Sequence, residues 1–80
     1  MSGVKAYILV VTSLGLEYDI ADELVKMSKD VKVSVDVVFG EYDLVVTVEG
    51  RDLKDIDKFV TMLRRVNGVH KTSTLIASRS

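Results

Sequence analysis

Val31-Lys32-Val33-Ser34-Val35-Asp36-Val37-Val38-Phe39-Gly40-Glu41-Tyr42-Asp43-Leu44-Val45-Val46-Thr47-Val48-Glu49 is the stretch that decides the fold. Its first half alternates. Val31, Val33, Val35, Val37 and Phe39 face one way, and Lys32, Ser34 and Asp36 face the other. A period of two over this length marks a strand with one buried face. Gly40-Glu41 then allows a tight reversal, because glycine takes positive φ without steric cost. The return strand is expected over residues 42–49, with Leu44, Val46 and Val48 on one face. The centre of the chain is therefore a β-hairpin.

Upstream, residues 4–12 are β-branched, aromatic and almost continuously apolar, which predicts a strand. Ser13-Leu14-Gly15 breaks it. Residues 17–28 read as a helix, with Ile20, Ala21, Leu24 and Val25 as its buried stripe. Glu17 and Asp19 in the first turn and Lys26 near the end suit the helix dipole.

Downstream, residues 51–66 read as a second helix, with Leu53, Ile56, Phe59, Val60, Leu63 and Val66 as its stripe. Asp52 and Asp55 suit its N-terminus, and Arg64 and Arg65 its C-terminus. Asn67-Gly68 fits a left-handed stop, and residues 69–77 form the last strand. The series βαββαβ with right-handed crossovers is the ferredoxin-like plait: a four-stranded antiparallel sheet with two helices on one face.

Several strands are apolar on both faces. In the first, Ala6, Ile8 and Val10 oppose Tyr7, Leu9 and Val11. In the third, Val45 lies opposite Leu44 and Val46; in the fourth, Ile76 lies opposite Leu75 and Ala77. Strands apolar on both faces are covered on both. The face without helices therefore wants a second sheet, and a homodimer burying roughly 800 Å² per subunit is expected.

Composition sets bounds on function. Eighty residues make one domain, spanning 1–80. The apolar fraction of 48% is high for so short a chain, which again points to a partner chain. The net charge of −1 argues against a nucleic-acid-binding surface. There is no cysteine, and His70 is the one histidine, so no Cys/His metal set is present and no cofactor is expected. No signal-like segment or membrane-length apolar run occurs, so a cytoplasmic protein is expected. Glutamine, tryptophan, proline and cysteine are absent and Asn67 is the one asparagine, a depletion of the kind reported for hyperthermophiles.

Two segments could carry chemistry. Gly40-Glu41-Tyr42-Asp43 offers loop N–H groups for a carboxylate, with Glu41 or Asp43 as partners for an ammonium group. Asp43 lies opposite Leu44 in the alternation and should point toward the open side. The plain alternative is a hairpin turn with solvated acids. Thr72-Ser73-Thr74 places two threonine hydroxyls on one face with Ile76, and Ser73 on the other with Leu75. The alternative there is a row chosen for β-propensity. The two segments could meet in one small polar pocket. His70 has no serine or cysteine near it in any recognisable motif, and a solvated histidine is expected. An enzyme would need a cavity lined by Tyr7, His70 or Asp36, and no motif argues for one.

The hairpin segment 39–46 and the segment 66–76, with its Gly68-Val69 and Thr72-Ser73-Thr74, together resemble the effector-binding (RAM) domain of the Lrp/AsnC, or feast/famine, transcription regulators. The resemblance covers residues 4–78. It implies a dimer formed through the sheets, dimers assembled into a ring (octamers are common in the family), and a free amino acid as effector between dimers. Carried over by position, the ligand-binding residues are Gly40, Glu41, Tyr42 and Asp43, with Thr72, Ser73 and Thr74 nearby. The loop amides would hold the α-carboxylate, and Asp43 would either partner the ammonium group or orient a residue that touches the ligand. The departure is the helix-turn-helix, for which there is no room before the first strand. A stand-alone effector domain is therefore expected, without direct DNA binding. It would act by binding an amino acid, or by assembling with full-length Lrp/AsnC regulators without a ligand of its own.

Overall fold

The computed structural model describes residues 3–78; residues 1, 2, 79 and 80 of the expected domain lie outside the described ones. The elements follow as β1 (Val4–Thr12), α1 (Glu17–Lys26), β2 (Lys32–Val37), β3 (Leu44–Gly50), α2 (Leu53–Leu63) and β4 (Val69–Ile76). The sheet runs β2-β3-β1-β4 with every neighbouring pair antiparallel. This is the expected ferredoxin-like arrangement.

Both helices cover one face. Ile20 and Leu24 of α1 and Ile56, Phe59 and Leu63 of α2 share a core with Ala6, Ile8 and Val10 of β1 and Leu44, Val46 and Val48 of β3. Val33, Val35 and Val37 of the edge strand β2 pack against that core, as their alternation predicts. Among the described residues, no helix covers the other sheet face. Tyr7, Leu9 and Val11 of β1 and Val45 and Thr47 of β3 lie on it half-buried by their neighbours alone. Lys5 sets its ammonium 5.5 Å from the centroid of the Tyr7 ring on the same face, a cation over an aromatic quadrupole.

The start of α2 is tied by reciprocal bonds. The Asp52 carboxylate accepts from the Asp55 N–H at 3.1 Å, and the Asp55 carboxylate accepts from the Arg51 N–H at 3.1 Å. This resembles a capping box displaced by one residue. Arg51 therefore lies outside the helix, not at its first turn. At the far end, Gly68 takes φ 98, the left-handed stop expected of Asn67-Gly68.

Several expected details shift. Val25 and Leu53 are 46% and 58% exposed and do not belong to the buried stripes. Leu53 is the first residue of α2, and Val25 lies beside the fully buried Leu24 near the end of α1, so each is turned away from the core. Strand pairing ends at Val37↔Leu44, so the reversal is a six-residue loop over 38–43 rather than a two-residue turn. The Val38 N–H donates to the Asp43 carbonyl at 2.9 Å and closes it. Phe39, expected among the inward residues of β2, is fully exposed at 103% in this loop.

Candidate functional site

The end of β1 organises both candidate segments. The ladder between β1 and β3 finishes at Val10↔Leu44. Beyond it the Asp43 N–H donates to the Val10 carbonyl at 2.8 Å. The Thr12 N–H then donates to Asp43 Oδ2 at 2.8 Å, and the Thr12 hydroxyl reaches the same oxygen at 3.4 Å. The Asp43 carboxylate thus prolongs the ladder by one rung. It closes on the main chain of Thr12 instead of pointing to the open side, because that N–H, at a strand end, has no carbonyl opposite it. One of the two Asp43 carboxylate oxygens is engaged in this way. Gly40 and Glu41 are exposed and Tyr42 is half-buried; Gly40 takes φ 136.

On the other side of β1, strand β4 starts with a bulge. Val11 pairs with Lys71 but Thr12 pairs with Val69, so His70 is an extra residue. The Ser13 N–H donates to the Gly68 carbonyl at 2.8 Å. Ser13 Oγ and His70 Nε2 then meet at 2.7 Å. His70 is therefore anchored rather than merely solvated. Its partner lies 57 residues away, and no spacing rule could have paired them.

Past the bulge, Thr72 stands opposite Val10 and Thr74 opposite Ile8, on the helix-covered face, while Ser73 stands opposite Leu9 on the open face. That is the facing predicted from alternation. The expected single pocket is not formed within one chain, because β1 lies between the two segments. Leu44, next to Asp43, and Thr72 both pair with Val10, so they are two strand spacings apart, about 10 Å.

Thr72 and Thr74 instead line a cleft of about 530 Å³ together with Val60 and Arg64 of the α2 end and Val69, His70 and Lys71. None of residues 40–43 lines it. Arg64 was legible in sequence only as a partner for the helix dipole. A second, more apolar hollow of about 350 Å³ lies between α2 and the segment after α1, with Met27, Val31, Phe59 and Met62 in its walls.

Among the described residues no group of three His, Cys, Asp or Glu side chains could hold a metal ion. The Asp55 carboxyl is held below the usual carboxylate range, chiefly by the hydrogen bond from the Arg51 N–H. Desolvation opposes this, and the Arg51 guanidinium and the charge of Lys58 add to it. This is a helix-start device, remote in sequence from both candidate segments. Among the described residues, no helix is long and apolar enough to cross a membrane.

A family model described as the Lrp/AsnC ligand binding domain matches residues 5–80. The chain belongs to the Lrp/AsnC ligand-binding domain family. A relative, the HTH-type transcriptional regulator FL11 of Pyrococcus furiosus, is 30% identical over 73 residues, covering 91% of this chain and 47% of the relative. This Lrp/AsnC domain thus spans about half the length of that curated relative. The solved hypothetical protein PHS023 of Pyrococcus horikoshii is 44% identical, with a TM-score of 0.83 over 96% of this chain and 92% of its own. A feast or famine regulatory protein from M. tuberculosis, solved as a complex with L-methionine, shares 20% identity and a TM-score of 0.70, over 96% of this chain and 51% of its own. That last likeness shows the Lrp/AsnC fold alone.

Proposed function

We propose that this domain is a small-molecule-binding assembly module of the Lrp/AsnC regulators, with a free amino acid as its effector. The family match over residues 5–80 carries the proposal. The bare sheet face supports its assembly half. Tyr7, Leu9, Val11 and Val45 form an apolar strip along the two central strands, with Thr47 beside it. A second copy laid sheet to sheet would remove that strip from water, at about 25 cal/mol per Å² of apolar area.

The loop over 38–43 and the threonines of β4 would meet only across two subunits, since β1 separates them within one. That separation supports a ligand site between dimers, to which Gly40, Glu41, Tyr42 and Asp43 would come from one side and Thr72, Ser73 and Thr74 from the other. A ligand that bridges subunits binds the assembled state better and shifts the equilibrium toward it. The protein would act in the cytoplasm as a binding module, not as an enzyme.

Calorimetric titration with each common amino acid tests this. Saturable heat is expected for one or a few of them, and Thr72→Val, which keeps the shape and removes the hydroxyl, should weaken it. No saturable heat with any amino acid contradicts the ligand half. The match to about half of FL11, named as an HTH-type regulator, favours a second reading. In it the domain assembles with full-length relatives through the shared sheet interface and needs no ligand of its own. Co-purification with such a relative, unaffected by amino acids, distinguishes it.

A further inference from the structure

The cleft between the end of α2 and β4 and the loop over 38–43 carry opposite charge. Arg64 lines the cleft with Val60, Val69, Thr72 and Thr74, and no acidic residue does. Lys71 pairs with Val11, so its side chain goes to the open face, away from Thr72 and Thr74. His70 is turned to Ser13, 2.7 Å away. Arg64 is then the one lysine or arginine whose side chain the cleft holds. Among the described residues the one ion pair is Arg51–Asp55, so Arg64 has no carboxylate partner there. The loop, by contrast, holds Glu41 and Asp43 and no lysine or arginine.

A cation for the dipole at the end of α2 does not have to stand at position 64. Arg65 follows it, is also exposed, and lines no part of the cleft. What sets Arg64 apart is its neighbours. Thr72 and Thr74 bring two hydroxyls on one strand face, each a donor and an acceptor. Val60 and Val69, both half-buried, give the cleft apolar walls. In the loop, the Val38 and Asp43 N–H groups already donate to main-chain carbonyls, and Thr12 engages one Asp43 oxygen. The exposed Glu41 and the second Asp43 oxygen are left to meet a cation.

We propose that Arg64 is the carboxylate anchor of the effector site, and that the effector is an α-amino acid with an uncharged, apolar side chain. The planar guanidinium fork takes the α-carboxylate. The Thr72 and Thr74 hydroxyls orient it, and Val60 and Val69 border the side chain. Glu41 and Asp43 of a neighbouring dimer take the ammonium group. The carboxylate therefore goes to the cleft and not to the loop amides. Arg64 supplies one cation for one carboxylate, so a second carboxylate finds no partner. A ligand with one charge at each end joins two surfaces of opposite sign, which neither end does alone. This rests on the site between dimers proposed above and narrows its ligand class.

Calorimetric titration with L-alanine, L-valine, L-leucine, L-isoleucine, L-methionine and L-glutamate tests it on the wild type, Arg64→Gln and Arg65→Gln. The amide of the tightest binder is a further probe that needs no variant. An apolar amino acid should bind tightest, and Arg64→Gln should weaken it about tenfold or more. Arg65→Gln, with the same change in net charge, should leave it unchanged. The amide, which lacks the anionic carboxylate, should lose about as much on the wild type as the amino acid loses in Arg64→Gln. Equal affinity in the wild type and Arg64→Gln, or for the amide and the amino acid, overturns the anchor and leaves the amino-acid module standing. Equal losses in both arginine variants overturn it as an effect of net charge. L-glutamate binding as tightly as the best apolar amino acid overturns it as well. Light scattering without ligand reads the remaining case: an assembly lost in Arg64→Gln but kept in Arg65→Gln marks a direct pair between Arg64 and the loop acids, and that overturns it too. Heat from none of the six on the wild type overturns it, and the full panel of common amino acids then decides the broader proposal separately.

Discussion

Asp43 shows how one side chain can be read correctly as polar and loop-borne while its partner goes unseen. Its carboxylate is engaged by the Thr12 N–H at 2.8 Å, 31 residues away. The partner depends on where the β1–β3 ladder stops, which no local pattern encodes. Removing a carboxylate that receives a half-buried N–H leaves that donor unsatisfied, at about 1–3 kcal/mol. Asp43→Ala should therefore lower stability in urea denaturation by that amount, and Asp43→Asn, which keeps an acceptor, should recover part of it. Asp55 gives a pH signature. Its folded pKa lies below the ordinary value of 3.8. The stability it contributes is therefore present above that ordinary, unfolded-state value and is lost as pH falls through the folded one. Asp55→Asn should flatten the stability profile on the acid side of pH 4 in thermal melts at stepped pH. The threonine facing was legible because a period of two fixes it. The pairing of Ser13 with His70 was not, because a bulge and 57 intervening residues stand between pattern and contact.

At the scale of elements, β1 was legible to the residue because its apolar run ends in the Ser13-Leu14-Gly15 breaker. The hairpin was legible as a pairing but not as a turn. Alternation continues through Phe39 in sequence, while the backbone leaves the ladder after Val37 to let Asp43 reach Val10 and Thr12. The cleft beside Arg64 and Thr72 needed the order of the strands and the approach of α2 to β4, so Arg64 could not be joined to Thr72 beforehand. Gly50 marks a close approach between elements. A Cβ there would lie 2.8 Å from the Asp55 Cβ and 3.2 Å from Val31 Cγ1, both nearer than ordinary contact. Gly50→Ala should push β3 from the start of α2 and cost about 1–3 kcal/mol, read as a lowered thermal midpoint.

At the scale of the molecule, one sheet face is covered by helices and the other is not. Leu9 lies on the bare face at its middle, opposite Val45 and Ser73 on the two flanking strands. Its side chain is not part of the single-chain core. If the proposed sheet-to-sheet dimer forms, Leu9→Lys should leave the fold intact by circular dichroism while converting that dimer to monomer in light scattering. An unchanged dimer in that variant places the contact elsewhere. Native mass spectrometry of the purified chain, with and without a mixture of the common amino acids, tests assembly and ligand together. An assembly built of dimers, gaining one small-molecule mass per site, is the predicted result. A monomer that gains no mass and does not change with any added compound contradicts it.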